Sequence, residues 1–194
     1  MAKILGLNGS PRKNGNTATL LDQLFLGAAE AGAETTARAV NTLNIHGCQG
    51  CLLCKNFGVC AVKDDMTDIY AAINDADVVV FASPIYFGTI SAQLTSVLHR
   101  LYPYLRSDFS SRLAPGITAV LLLTQGNPQV EAFSVYVDML SNVLKRIGFT
   151  QVETLIAPGV RERGAVAQDA AMMASAYALG QRLAAVNSVF PETA

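Results

Sequence analysis

The chain has 194 residues, of which 51% are hydrophobic and 15% charged, with 14 basic side chains against 15 acidic ones. That balance excludes a disordered polymer and the strong basic field of a nucleic-acid binder, and the length predicts one domain over residues 1–194 with a sizeable core. The longest aliphatic run, Ile117 to Leu123, is too short to cross a bilayer, and the N-terminus lacks a secretory pattern, so a reducing, cytoplasmic location is expected and no membrane partner.

Ile4 to Leu7 reads as a buried strand. Turns follow at Gly9-Ser10-Pro11 and Asn14-Gly15-Asn16. From Thr17 a helical pattern begins, with Leu20, Leu21, Leu24, Phe25 and Ala28 on one face. A strand, a Gly/Ser/Asn turn and a helix N-terminus form an anion site, because first-turn N–H groups and the dipole point at the turn. Ser10, Asn16 and Thr17 add donors, and Arg12 and Lys13 add charge. A nucleotide-triphosphate loop would need G-x4-G-K-[ST], but Gly9 and Gly15 enclose five residues and Asn16 stands in the Lys position. The dinucleotide fingerprint G-x-G-x-x-G is also missing. The turn therefore reads as a monophosphate site. The competing reading is an ordinary strand-to-helix turn, which uses the same residue types.

Gly32 marks the helix C-cap, and Glu34 to Val40 is a weak exposed strand. Residues 44–63 form a cysteine-rich insertion with no helix or strand pattern. Asp64 and Asp65 read as caps for a helix from Met66 to Asn74. Val78 to Ala82 is a strand covered on both faces, stopped by Ser83-Pro84. A helix is expected over Ala92 to Leu105, with Pro103 distorting its last turn. Arg106 to Gly116 is a polar loop. Ile117 to Thr124 is the second fully apolar strand, and Gln125-Gly126-Asn127-Pro128 turns at its end. A helix from Glu131 to Ile147, a strand from Val152 to Ala157 and a small-residue helix from Ala165 to Val186 follow, with a loose tail over 187–194. Five strands alternating with five helices predict an α/β fold with a doubly wound parallel sheet and helices on both faces. In such a sheet the loops at Ser10 to Thr17, Ser83 to Gly88 and Thr124 to Pro128 converge at the strand C-terminal ends.

Tyr86 and Phe87 are adjacent aromatics in one of these loops. They either plug the core or wall a planar ring. A phosphate turn beside a planar slot is what a flavin mononucleotide needs. The strings GSPRKNGNT and SPIYFG, in these two loops, resemble the NAD(P)H-dependent FMN reductase family of flavodoxin-like proteins, over about residues 3 to 160. The cysteine segment resembles its iron–sulfur flavoprotein branch. The resemblance implies a flavodoxin-like fold, strand order 2-1-3-4-5, and non-covalent FMN. It implies Ser10, Arg12, Asn16 and Thr17 on the phosphate, Pro84, Ile85, Tyr86, Phe87 and Gly88 along the ring, and Gln125, Gly126 and Asn127 at its far edge. It also implies a homodimer or homotetramer, with the last helix and the Arg106 to Gly116 loop as candidate contacts.

Cys48, Cys51, Cys54 and Cys60 are all the cysteines, spaced C-x2-C-x2-C-x5-C. The run resembles a ferredoxin-type ligand set for a [4Fe–4S] cluster, with a longer last gap and no following Pro. Zinc, which favours two separated C-x2-C knuckles, and free thiols remain as alternatives. His46 and His99 read as structural or surface residues, and Met172 and Met173 as packing residues. No hydrolase motif is present. The expected function is an FMN-dependent oxidoreductase passing electrons from NAD(P)H to an acceptor, with no side chain as acid or base. The alternative is an iron–sulfur flavoprotein relaying electrons between protein partners. A flavin-binding sensor or scaffold is the third reading.

Overall fold

The structure, a computed structural model, describes residues 1–186; the tail expected over 187–194 lies outside them. Its elements in chain order are β1 (Lys3–Asn8), α1 (Asn16–Glu30), β2 (Glu34–Ala39), α2 (Leu53–Phe57), α3 (Met66–Asp75), β3 (Val78–Tyr86), β4 (Thr89–Ile90), α4 (Ala92–His99), β5 (Thr118–Thr124), α5 (Ser134–Ile147), β6 (Gln151–Ala157) and α6 (Ala170–Ala184). The long strands are parallel in the order β2-β1-β3-β5-β6, and β4 pairs antiparallel with β3. Without the two-residue β4, this is the predicted 2-1-3-4-5 flavodoxin-like order.

The two faces follow from the strand period of two. Leu5, Leu7, Val79, Phe81, Leu121 and Leu123 pack on one side, against Ile69 and Ile73 of α3, Leu94 and Val97 of α4, and Leu140 and Leu144 of α5. Ile4, Val78, Val80, Val120 and Leu122 pack on the other, against Leu20, Leu21 and Leu24 of α1 and Leu179 and Leu183 of α6. Central β3 and β5 are covered on both faces, so Val78 to Ala82 and Ala119 to Leu123 read as unbroken apolar runs.

Four expectations need correction. First, Ser83-Pro84 does not stop the strand: β3 runs on to Tyr86, with Pro84 opposite Thr124 of β5. Gly9 N–H donates to the Ala82 carbonyl at 2.8 Å, and β1 pairs with β3 no further than Asn8 opposite Ala82. By alternation the N–H that Pro84 lacks would point toward β1, which has already ended, so the ladder loses nothing. Second, the helix from Ala92 ends at His99 and passes into a 3-10 turn over Tyr102–Tyr104. Pro103 offers no donor and disfavours helical geometry at Tyr102. Third, the cysteine-rich segment contains the short helix α2, which carries Cys54. Fourth, the last helical segment is split: a 3-10 turn covers Ala165–Gln168, and Asp169 caps α6 by accepting from Met172 N at 3.0 Å. The small residues of α6 are used inside the chain, with Gly180 set against the backbone of Leu24 and Ala28 in α1.

Candidate functional site

The C-terminal ends of β1, β3 and β5 open on one cleft. It is lined by Ser10, Arg12, Asn16, Thr17, Pro84, Ile85, Tyr86, Thr124, Gln125, Gly126, Val160, Arg161 and Glu162, with a volume of about 390 Å³. The three loops expected to converge do so. Phe87, Gly88 and Asn127, also expected at the site, are not in its lining.

The turn after β1 is held by local and distant bonds. Ser10 N–H donates to Asn8 Oδ1 at 2.9 Å and Arg12 N–H to Ser10 Oγ at 3.2 Å, two side-chain-closed turns in succession. Ser91 hydroxyl donates to the Gly9 carbonyl at 2.7 Å, and its N–H donates to Ser83 Oγ at 2.9 Å, tying the turn to the end of β3. A side chain at Gly9 would sit 2.6 Å from Leu94 Cβ and 2.8 Å from Ser91 Oγ, so only glycine lets the turn pass α4. α1 starts at Gly15, which provides no side-chain cap. Its first-turn N–H groups thus have no side-chain cap, and they adjoin a turn whose Ser10, Asn16 and Thr17 are all buried and line the cleft.

Thr17 and Thr124 share a buried hydroxyl–hydroxyl bond of 2.8 Å, which joins the start of α1 to the end of β5. The Asn16 amide donates to the carbonyls of Val160 at 3.0 Å and Glu162 at 2.8 Å, and its Oδ1 accepts from Val166 N–H at 3.3 Å. Asn16 therefore fixes the loop after β6 as the cleft's fourth wall, with its amide donors occupied by that loop. Arg12 Nη1 donates to the Arg161 carbonyl at 3.2 Å, and Arg161 Nε donates to the Gly126 carbonyl at 3.2 Å, placing two guanidinium groups at the rim. The sequence reading placed the loop of Thr124 at the site without assigning that residue a role, and it missed Val160, Arg161 and Glu162. Thr124 at the end of an apolar strand was a usable signal; the loop after β6 carried none.

Tyr86 is 38% exposed and Phe87 fully so, which rules out the core-plug reading. They belong to a hairpin: Ile85 pairs with Ile90 and Tyr86 with Thr89. Phe87 and Gly88 between them have φ of 49° and 81°, the positive values a tight type I′ hairpin turn demands. The Gln125 amide donates to the Gln129 carbonyl at 2.6 Å and the Asn127 carbonyl at 3.2 Å, shaping the turn after β5.

None of the four cysteines lines this cleft; they line one small cavity with His99, Arg100, Tyr102 and Pro103. Cys48 and Cys51 are exposed, Cys60 is half-buried and Cys54 is buried, and burial pushes its thiol pKa up. Gly50, Leu52 and Gly58 all have positive φ, so the backbone curls tightly through the run; for the exposed Leu52 that is a strained conformation. Among the described residues, no three His, Cys, Asp or Glu side chains converge on a single metal ion. α2 is anchored from below by Lys55, whose Nζ donates to the Leu105 carbonyl at 2.7 Å and sits 3.3 Å from the Tyr102 ring centroid.

Both ends of the cysteine segment are held by one buried ion pair. Arg100 Nη1 donates to Asp64 Oδ2 at 2.6 Å and to the His46 carbonyl at 2.8 Å; its Nη2 donates to Asp64 Oδ1 at 3.0 Å and to the Val62 carbonyl at 3.2 Å. Both side chains are fully buried. Asp64 also accepts from His46 N–H at 2.9 Å and caps Met66 N–H at 3.1 Å, while Asp65 accepts from Asn44 N–H at 2.7 Å. Burial alone would raise the Asp64 pKa; the Arg100 fork and the two backbone N–H groups outweigh it and hold the carboxyl at about 2. The capping expected of Asp64 is thus the lesser part of its role.

Residues 2–146 match the family model of NADPH-dependent FMN reductases. An iron–sulfur flavoprotein of Methanocaldococcus jannaschii is 38% identical over 110 residues, 57% of this chain and 56% of that protein. One from Archaeoglobus fulgidus is 28% identical over 171 residues, 87% of this chain and 82% of its own. Apart from the latter, the match spans about half the length of these curated relatives. Among solved structures, the NAD(P)H:quinone oxidoreductase from Methanothermobacter marburgensis superposes with a TM-score of 0.78 at 19% identity, over 94% of this chain and 98% of that one; at that identity the likeness concerns the fold. No helix among the described residues is long and apolar enough to cross a membrane.

Proposed function

The chain belongs to the NADPH-dependent FMN reductase family, and from that premise we propose that it is an FMN-dependent oxidoreductase carrying electrons from NAD(P)H to a small-molecule or protein acceptor. The observation that carries the reading is the uncapped start of α1 at Gly15, opening on a cleft with buried Ser10, Asn16 and Thr17. Such an N-terminus is short of acceptors, and a phosphate monoester supplies them.

FMN held there would supply the redox chemistry, that of a two-electron hydride acceptor able to release electrons singly or in pairs. The chain's own residues bind and orient. The Ser10 to Thr17 turn takes the phosphate through N–H and hydroxyl donors, with Arg12 adding charge from the rim. Asn16 acts through the loop it holds, keeping Val160 to Glu162 closed over that turn. Pro84, Ile85 and Tyr86 offer an apolar wall to one side of the ring, and Phe87 and Gly88 shape the hairpin that carries it. Gln125 orders the turn that would set Gly126 at the ring's far edge, and Asn127, outside the lining, helps to shape that turn. No side chain of the cleft is assigned as acid or base.

The four thiols on one cavity wall favour the second reading, in which Cys48, Cys51, Cys54 and Cys60 hold a [4Fe–4S] cluster and the protein relays electrons between partners. Self-association as a homodimer or homotetramer fits the exposed apolar stripe Val135, Met139 and Val143 on α5 and the bare ring of Phe87.

The test is anaerobic purification, titration with FMN and with riboflavin, iron counted per chain, and NADH and NADPH oxidation followed with a quinone acceptor. FMN binding at least tenfold tighter than riboflavin is expected. A chain that ignores FMN at micromolar concentration ends the oxidoreductase reading. Iron-loaded protein with slow NAD(P)H oxidation selects the electron carrier.

A further inference from the structure

We propose that Arg100 is a positioning residue for an iron–sulfur group held by the four cysteines, its Nε–H donating a hydrogen bond to one of that group's sulfur atoms. This rests on the cluster reading above and adds a residue that cysteine spacing does not reveal.

The inference starts from a count of donors. A guanidinium has five N–H groups and no acceptor. Four of those of Arg100 find four acceptors: both Asp64 oxygens and the carbonyls of His46 and Val62. The fifth, on Nε, is buried and has no partner among the described residues. Buried donors are almost always satisfied, and one on a charged group is the costliest to leave unmade. The side chain cannot swing to find another partner, because Asp64 grips its far end in a two-point fork.

What faces the remaining donor is decided by where Arg100 sits. It forms part of the wall of the cavity lined by Cys48, Cys51, Cys54 and Cys60. Beside it, the Tyr70 hydroxyl donates to the Arg100 carbonyl. The protein groups around that cavity thus include one permanent N–H donor without an acceptor, and thiols that as thiolates are acceptors. A ligand made of sulfur and iron completes both sets. An N–H to sulfur bond stabilises the more reduced, more negative form, so it raises the reduction potential. The pair with Asp64 has a separate task, closing the cysteine segment at His46 and Val62.

The experiment uses full-length protein reconstituted anaerobically with iron and sulfide, grown with arginine carrying 15N at Nε. Electron–nuclear double resonance of the reduced sample is expected to show a 15N coupling in wild type, retained in Arg112→Lys and lost in Arg100→Lys. Arg100→Lys, with iron per chain equal to wild type, is expected to have a lower midpoint potential. Full iron in wild type without a 15N coupling overturns the proposal, as does a coupling lost in Arg112→Lys instead, or an Arg100→Lys protein with full iron and an unmoved potential. Should Arg100→Lys fail to fold or to take iron, the wild-type and Arg112→Lys couplings decide the matter alone. A wild-type chain that takes no iron at all refutes the cluster reading itself, and this proposal with it.

Discussion

Gly180 in α6 lies against the carbonyl of Leu24 in α1, so close that a Cβ on Gly180 would overlap that oxygen and sit 2.8 Å from Ala28 N. Gly27 repeats the contact from the other side, facing the backbone of Tyr177. Substituting alanine inside a helix normally stabilises by about 1 kcal/mol. Here overpacking reverses the sign, and Gly180→Ala should lower the unfolding free energy by roughly 1–3 kcal/mol. Urea denaturation checks this; a variant as stable as wild type would show that the helices can part at no cost.

The buried Asp64 carboxyl has a folded pKa of about 2 against its ordinary 3.8. Its stabilisation is therefore complete above pH 3.8 and disappears as the pH falls through about 2. The loss across that window is about 2 kcal/mol. Acid titration of stability in wild type and Asp64→Asn should differ by a slope confined to this range. Parallel curves would mean that the pair is not formed in solution.

Arg12 stands at the rim of the cleft beside the Ser10 to Thr17 turn, its Nη1 on the Arg161 carbonyl. Arg12→Ala should weaken FMN about tenfold at low salt while leaving riboflavin unchanged, because only the phosphate meets this charge. The effect should shrink as salt rises. Equal losses for both ligands in fluorescence titrations would move Arg12 away from the phosphate.

Phe87 is fully exposed with φ of 49°, a conformation that costs a bulky residue about 1 kcal/mol. Phe87→Gly should raise the unfolding free energy by an amount of that order while lowering NAD(P)H-dependent turnover. A gain in stability with full turnover would leave the ring without a part in the reaction.

Gly9 admits no side chain between the turn and α4. Gly9→Ala should displace the phosphate turn and cost FMN affinity more than tenfold, with thermal stability lowered as well. Unaltered FMN binding in this variant would place the phosphate elsewhere.

Much of the molecule is legible locally. Short unbroken apolar runs mark β3 and β5, alternation and helical spacing mark the layers, and the Gly9 to Thr17 stretch marks the turn into α1, because strand period, helix period and turn chemistry act within a few residues. The hairpin beyond Pro84 was not legible: Pro84 reads as a stop unless the early end of β1 is known. The packing of α6 on α1 was likewise hidden, since small residues fit an intermolecular contact equally well.

By itself, then, the amino-acid order determined the α/β alternation, the glycine turn that opens α1 and the grouping of four thiols, all set by neighbours in the chain. Only the tertiary structure decided that Asn16 closes the site with a loop 144 to 146 residues away, and that Arg100 reaches across 36 residues to Asp64 and borders the cysteine cavity with one N–H unanswered. Those relationships depend on which strands lie side by side and which helix ends meet there, and a buried donor declares its missing partner only once every other partner is in place.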